Sequence, residues 1–249
     1  MAYAAADHAT WLSDLQSGRS SQHKGVAPGA LALSGDGLIL WSGETQGALV
    51  QKRRDAGVLH RVDRAFAGHV VWGASHDGRM ALVYAHASNP RAVSLIDTEA
   101  NRTSRILSHP SWNLYEANFS PDDRWIVFEA DTPEGALVFG APFHGSQPIP
   151  VEQWILIGKG DDPKWSADGK SVFLLSQADG YSCVWRVPVD PATKLPVGAP
   201  AGFVHWHGLQ SPQFLPPGIF RIAASQDKLV FLLGERDEVV WRRKHTALR

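Results

Sequence analysis

Six carboxylates are the first residues that could do chemistry: Glu44, Glu116, Glu129, Asp131, Asp161 and Asp162. Two carboxyl groups facing each other across a channel can hydrolyse a glycosidic bond, at separations of roughly 5–9.5 Å. Acids on loops are otherwise simply solvated, and spacing alone does not show that any two converge. His205-x-His207 puts two imidazoles on one face of an extended strand, the beginning of a transition-metal site. Without a third His or carboxylate at a defined spacing the coordination shell stays open, so no metal is expected there. Hydrogen bonding beside a channel is the expected role of these histidines. Trp112 and Tyr115 add flat faces for stacking. Lys52-Arg53-Arg54 and Arg242-Arg243-Lys244 are either a flank for an acidic partner or solvated rim. No nucleophile elbow, phosphate-binding loop, dinucleotide fingerprint or zinc-type cysteine pattern occurs, and no cofactor is expected.

Composition narrows the classes further. With 44% apolar and 20% charged residues the chain can bury a real core. A formal net charge of -1 gives no field that favours nucleic acid. The single cysteine, Cys183, excludes an intrachain disulfide and, between apolar neighbours, reads as a buried inert thiol. No apolar run approaches the ~20 residues of a membrane span, so no membrane insertion is expected. The start "MAYAAADHATWLSDLQ" lacks the layout of a signal peptide. The chain as given is expected to be cytoplasmic, or periplasmic as part of a longer exported protein, and monomeric.

The elements that must hold the candidate residues show themselves as a repeat. Ser-x-Asp recurs at Ser34, Ser75, Ser120, Ser166 and Ser225, with steps of 75−34 = 41, 120−75 = 45, 166−120 = 46 and 225−166 = 59. Each copy lies between a short apolar segment and a denser one, as in "FSPDDRWIVFEA". The turn is Asp-Gly in three copies, which suits a tight hairpin; Asp123 and Lys228 replace the Gly in the others. The strands after the turns are apolar on both faces, so each should be sandwiched between neighbours. Segments such as "RAVSLIDTEANRTSRIL" and "CVWRVPVDPATKLPVGAP" supply two more strands per unit. Four antiparallel strands in about 45 residues make a propeller blade.

The repeats "FSPDDRWIVFEA", "DDPKWSADGKSVFLLSQADGYSCVWRVPVDPATKLPVGAP" and "AASQDKLVFLLGE" resemble the TolB-type, WD-like (PD-type) β-propeller repeats. The likeness runs over most of residues 25–244, is strongest from Trp112 onward, and is closest to the C-terminal propellers of bacterial multidomain proteins. It implies a protein-binding or ligand-binding module, with no catalytic residues to carry over. TolB-like rings usually have six blades, and this chain shows five hairpins. The expected fold is therefore all-β: one propeller domain over 1–249 with blades at about 25–62, 68–108, 113–158, 161–206 and 218–244. Five blades avoid an open seam if the N-terminal segment 9–25 supplies the missing strand of the last one.

In a propeller the connections into the innermost strands crowd one mouth. That rule groups Trp112, Tyr115, Glu116, Asp161, Asp162, His205 and His207 as the candidate ligand-binding residues. The Ser-x-Asp turns fall at the other mouth. The expected function is non-catalytic binding of a protein, peptide or small polar ligand at the loop-lined mouth. One alternative is a carboxylate-dependent glycoside hydrolase; the other is a structural propeller, or a piece of one, with no ligand of its own.

Overall fold

The computed structural model describes residues 2–4, 10–13, 20–23, 31–35, 39–43, 49–53, 57–62, 69–85, 88–205, 210–212, 222–224, 229–230 and 233–235. Among them the fold is all-β, with one short 3-10 turn at Val151–Gln153. Among the described residues no helix is long and apolar enough to cross a membrane.

Four sheets of four antiparallel strands follow one another along the chain. The first comprises β4 (Leu31–Leu33), β5 (Ile39–Gly43), β6 (Leu49–Arg53) and β7 (Gly57–Val62). The second has β8 (His69–Ala74), β9 (Met80–Ala85), β10 (Val93–Asp97) and β11 (Arg102–Leu107). The third has β12 (Asn113–Phe119), β13 (Trp125–Thr132), β14 (Gly135–Pro142) and β15 (Ile155–Lys159). The fourth has β16 (Asp161–Trp165), β17 (Ser171–Ser176), β18 (Cys183–Pro188) and β19 (Ala201–Val204). In each the strand order is the chain order, and the first strands β4, β8, β12 and β16 lie side by side in succession. These are blades.

Period-2 alternation on doubly apolar strands glues one blade to the next. In β9, Ala81 and Val83 pack with Ala32 and Trp41 of the preceding blade, while Leu82 faces Ile126 and Phe128 of the following one. In β13, Ile126 and Phe128 look back and Val127 looks forward to Val172 and Leu174. In β17 those two look back, and Phe173 and Leu175 look forward to Ile222. Each inter-blade layer is thus built from alternate residues of two neighbouring second strands.

The Ser-x-Asp turns hold the other end of each hairpin in one repeated pattern. The hydroxyls of Ser75, Ser120 and Ser166 donate to Asp77, Asp122 and Asp168 at 2.8, 2.6 and 2.6 Å. Each hydroxyl oxygen also accepts the first N–H of the next strand, from Met80, Trp125 and Ser171 at 3.0, 2.9 and 2.9 Å. Neighbouring turns touch. The N–H of His76 donates to both carboxylate oxygens of Asp123, at 3.0 and 2.9 Å, across the blade boundary. Asp123, where other copies carry Gly, takes the left-handed backbone itself, at φ 55°.

The described residues at the two ends of the chain form sheets of their own. The N-terminal residues form their own three-stranded sheet, β1 (Ala2–Ala4), β2 (Thr10–Ser13) and β3 (Ser20–His23), with β2 in the middle. Both edges of Thr10–Ser13 are occupied, so that strand cannot also complete the last blade, and β1 lies beside β4. At the other end β20 (Gln210–Pro212) pairs with β23 (Leu233–Glu235), and β21 (Ala223–Ala224) pairs with β22 (Leu229–Val230). Among the described residues no strand pairs the two ends of the chain. The expected third strand at 238–242 lies outside the described residues.

Candidate functional site

The first strands of the third and fourth blades each carry a bulge. In β12 the pairing steps from Tyr115 opposite Glu129 to Asn118 opposite Val127. In β16 it steps from Asp161 opposite Leu175 to Lys164 opposite Phe173. The bulged residues Glu116 and Asp162 have left-handed backbones, with φ of 52° and 47°. Such a conformation is uncommon for a residue with a side chain, and a bulge of this kind re-aims that side chain. Glu116 and Asp162 are equivalent positions, each four residues before its Ser-x-Asp serine (120−116 and 166−162).

The re-aimed side chains meet. Glu116 and Asp162 are both buried, 7% and 3% exposed, and their carboxyl groups are hydrogen-bonded to each other. Asp162 Oδ2 also accepts the N–H of Ile222 at 2.8 Å, which ties the fourth blade to the segment after it. The carboxyl of Glu129 takes the N–H of Asp162. Lys164 lends Glu116 some positive charge, while its Nζ donates to Asn118 Oδ1 at 2.8 Å. That is too little to hold four acids ionised. Burial, then the charges of Asp162 and Glu129, push the Glu116 carboxyl well above the usual range. Burial, then Asp161, raises Glu129 to about 8. Burial, then Asp162, raises Asp161 to about 7. At neutral pH this cluster therefore holds protons, and it can donate as well as accept hydrogen bonds.

Two chemistries are limited by this geometry. Hydrogen-bonded carboxyls sit closer than either glycosidase separation, so Glu116 and Asp162 are not an acid–base pair around a sugar. No three of these four acids bring ligand oxygens within 4.8 Å of one another, so they do not form a cage for a cation.

Asp161 also lines a cleft of about 560 Å³ between the third and fourth blades. Gly158, Leu174, Gln177, Trp185 and Pro200 form much of its wall. Oδ1 of Asp161 is buried and has no hydrogen-bond partner, and neither has Oε2 of Glu116. Gly160, at the corner between β15 and β16, permits the cleft's close backbone approach. A Cβ there would lie 2.3 Å from the carbonyl oxygen of Leu175.

The other expected site residues go elsewhere. Trp112 stacks on His109, with centroids 3.8 Å apart, and packs towards Phe139 and the core of its own blade. Tyr115 turns to the second blade, where Arg91 lies over its ring at 5.1 Å, donates to its hydroxyl, and Tyr84 meets it edge-on. His205 pairs through Nδ1 with Asp179 Oδ2 at 2.9 Å and packs edge-on against Trp185 of the cleft wall. His207 lies outside the described residues. So Glu116, Asp161 and Asp162 come together, and Glu129, absent from the expected ligand set, completes the group. Its signal was the pairing of Tyr115 with Glu129, which a hairpin centred on the Ser120 turn dictates.

No protein-family model matches the chain, and no curated protein matches it. Solved structures do. TolB from Acinetobacter baumannii superposes with a TM-score of 0.62 at 16% identity, over 91% of this chain and 57% of that one. A TolB-type protein from Agrobacterium tumefaciens gives 0.65 at 17% identity, over 92% and 79%. The dihydro-heme d1 dehydrogenase NirN, in complex with DHE, gives 0.52 at 15% identity, over 94% and 48%. The chain thus spans little more than half of the first of these proteins and under half of the third. At such identities the likeness is one of fold: this chain has a β-propeller fold similar to that of the two TolB structures.

Proposed function

We propose that the chain is a non-catalytic propeller module that binds a peptide or small polar ligand in the cleft between its third and fourth blades. The observation that carries this reading is Asp161: a cleft-lining acid with a buried oxygen that no group of the protein satisfies. An unmet buried acceptor costs roughly 1–3 kcal/mol. A ligand in the cleft that draws this oxygen round to its own donor recovers that cost. Apolar wall residues such as Leu174 and Trp185 supply the burial, as in most ligand pockets. The resemblance of the repeats to TolB-type propellers supports binding as the activity.

The test is a thermal-shift screen of short peptides and oligosaccharides against the wild type and Asp161→Asn. A ligand at about 100-fold over its Kd should raise Tm by ~5 °C or more. Asp161→Asn should lose at least half of that rise. Equal stabilisation of both proteins would move the site away from the cleft. The glycosidase alternative needs a pair of acids other than Glu116 with Asp162. Turnover of a nitrophenyl glycoside that disappears in Asp161→Asn would replace binding by hydrolysis.

A further inference from the structure

Cys183 is the one cysteine of the chain and is buried at the start of β18. Val184 pairs with Val204 across β18 and β19, so the antiparallel register brings Cys183 opposite His205 at the sheet's end. On its other edge Cys183 pairs with Ser176, and the hairpin 177–182 between them carries Asp179 back over the same end. One ligand atom from each of Asp179, Cys183 and His205 lies within 4.8 Å of the other two. The imidazole is wedged in place: a Cβ on Gly202 would lie 1.6 Å from Nε2, so only glycine leaves room for the ring. Nδ1 is the nitrogen turned to the carboxylate.

We propose that Asp179, Cys183 and His205 bind a zinc-type divalent transition-metal cation, with three protein ligands and the fourth position open to solvent. Tetrahedral zinc has bonds of about 2.0–2.3 Å, so its ligands stand roughly 3.3–3.7 Å apart. Small side-chain adjustments of an exposed hairpin reach that spacing. Thiolate, imidazole and carboxylate together select zinc or cobalt over calcium and magnesium, which take all-oxygen shells. On binding, the thiol loses its proton to solvent and the imidazole ligates through Nδ1 with its hydrogen on Nε2. The two anionic ligands then neutralise the cation. None of its three residues lines the cleft, although the hairpin 177–182 and Trp185, which His205 touches, both do. It also revises two expectations from sequence: that no metal binds at His205, and that Cys183 is an inert thiol.

Cobalt titration of the reduced, metal-free full chain tests this. With a single cysteine present, any thiolate-to-cobalt charge-transfer band reports Cys183 alone. The expected result is that band at one equivalent, with visible bands of four-coordinate cobalt, and its displacement by zinc. Cys183→Ser should abolish the band while circular dichroism stays unchanged. His205→Gln and Asp179→Asn should each weaken cobalt binding at least about tenfold. A wild type without the band would overturn the proposal, and so would an Asp179→Asn or His205→Gln variant that binds cobalt as tightly as the wild type.

Discussion

The two ends of the blade hairpins use the same residue type to opposite effect. At the turn end, Asp77, Asp122 and Asp168 each receive a serine hydroxyl and a backbone N–H, and all three carboxyls sit below their usual range. At Asp168 the hydroxyl of Ser166 contributes most. At Asp77 and Asp122 partial burial pulls upward, and the donated hydrogen bonds outweigh it. At the other end, Glu116, Glu129 and Asp161 are raised, burial first and neighbouring acids next. Asp123 is the exception among the turn acids, raised by its burial between two turns in spite of the His76 N–H. An acid answered by local donors builds the repeat. Acids massed with too few donors leave bonding capacity for something else, and that asymmetry is what favours a site at one end only.

The largest effect expected from this contrast is on the pH dependence of stability. A raised carboxyl is protonated in the folded chain where the unfolded chain has already released its proton. Stability from Glu116, Glu129 and Asp161 is therefore full below about pH 4 and is lost as pH rises towards 7–8. The turn acids act in the other direction, and their contribution is lost as pH falls below about 4. Urea unfolding should show a maximum near pH ~5 and a fall on the order of 2–3 kcal/mol by pH ~8.5. A flat profile over that range would remove the contrast. Next in size, Glu129→Gln should stabilise the fold by ~1 kcal/mol at pH ~8.5 and have no effect at pH ~5, because it removes a buried charge and keeps an acceptor for Asp162 N–H. Loss of stability at both pH values would mean that the Glu129 carboxylate is needed as an ion. The smallest effect is at the turn end, where Asp168→Ala should cost ~1 kcal/mol or slightly less, equally at pH ~6 and ~8.5. An unchanged denaturation midpoint would show that Ser166 and the backbone hold the turn unaided.

The hairpins were legible because Ser, Asp and Gly at fixed offsets have a local meaning: each turn closes within six residues, and the following strand declares its two buried faces by composition. The acids at the other end were legible as a group of candidates and not as a cluster. Glu116 and Asp162 read as acids on the connections into β12 and β16, and nothing there announces a left-handed backbone; the clue was their shared offset from the serine. Trp112, Tyr115 and Glu116 adjoin in sequence but separate in space, because alternation and the bulge send them to the blade core, the second blade and the fourth blade. The partners of His205 depend on cross-strand register, which sequence does not print. Ring closure was inferred from strand counting, and of the N-terminal segment the structure settles one strand, Thr10–Ser13, whose two edges are both occupied within its own sheet.

The bond from His76 N–H to Asp123 has a consequence for how such a chain can be rearranged. Asp123 departs from the Asp-Gly of its sister turns, and that departure reaches into the preceding repeat. Gly169 and Gly78, at the matching place in the flanking copies, have no side chain with which to do the same. The second and third blades are thus an ordered couple. A version with the third and fourth blades exchanged would keep every hairpin and every apolar layer in kind, yet leave His76 without its acceptor and Asp123 facing the wrong neighbour. The modules carry addresses as well as shapes, and their sequence along the ring is not free to be shuffled.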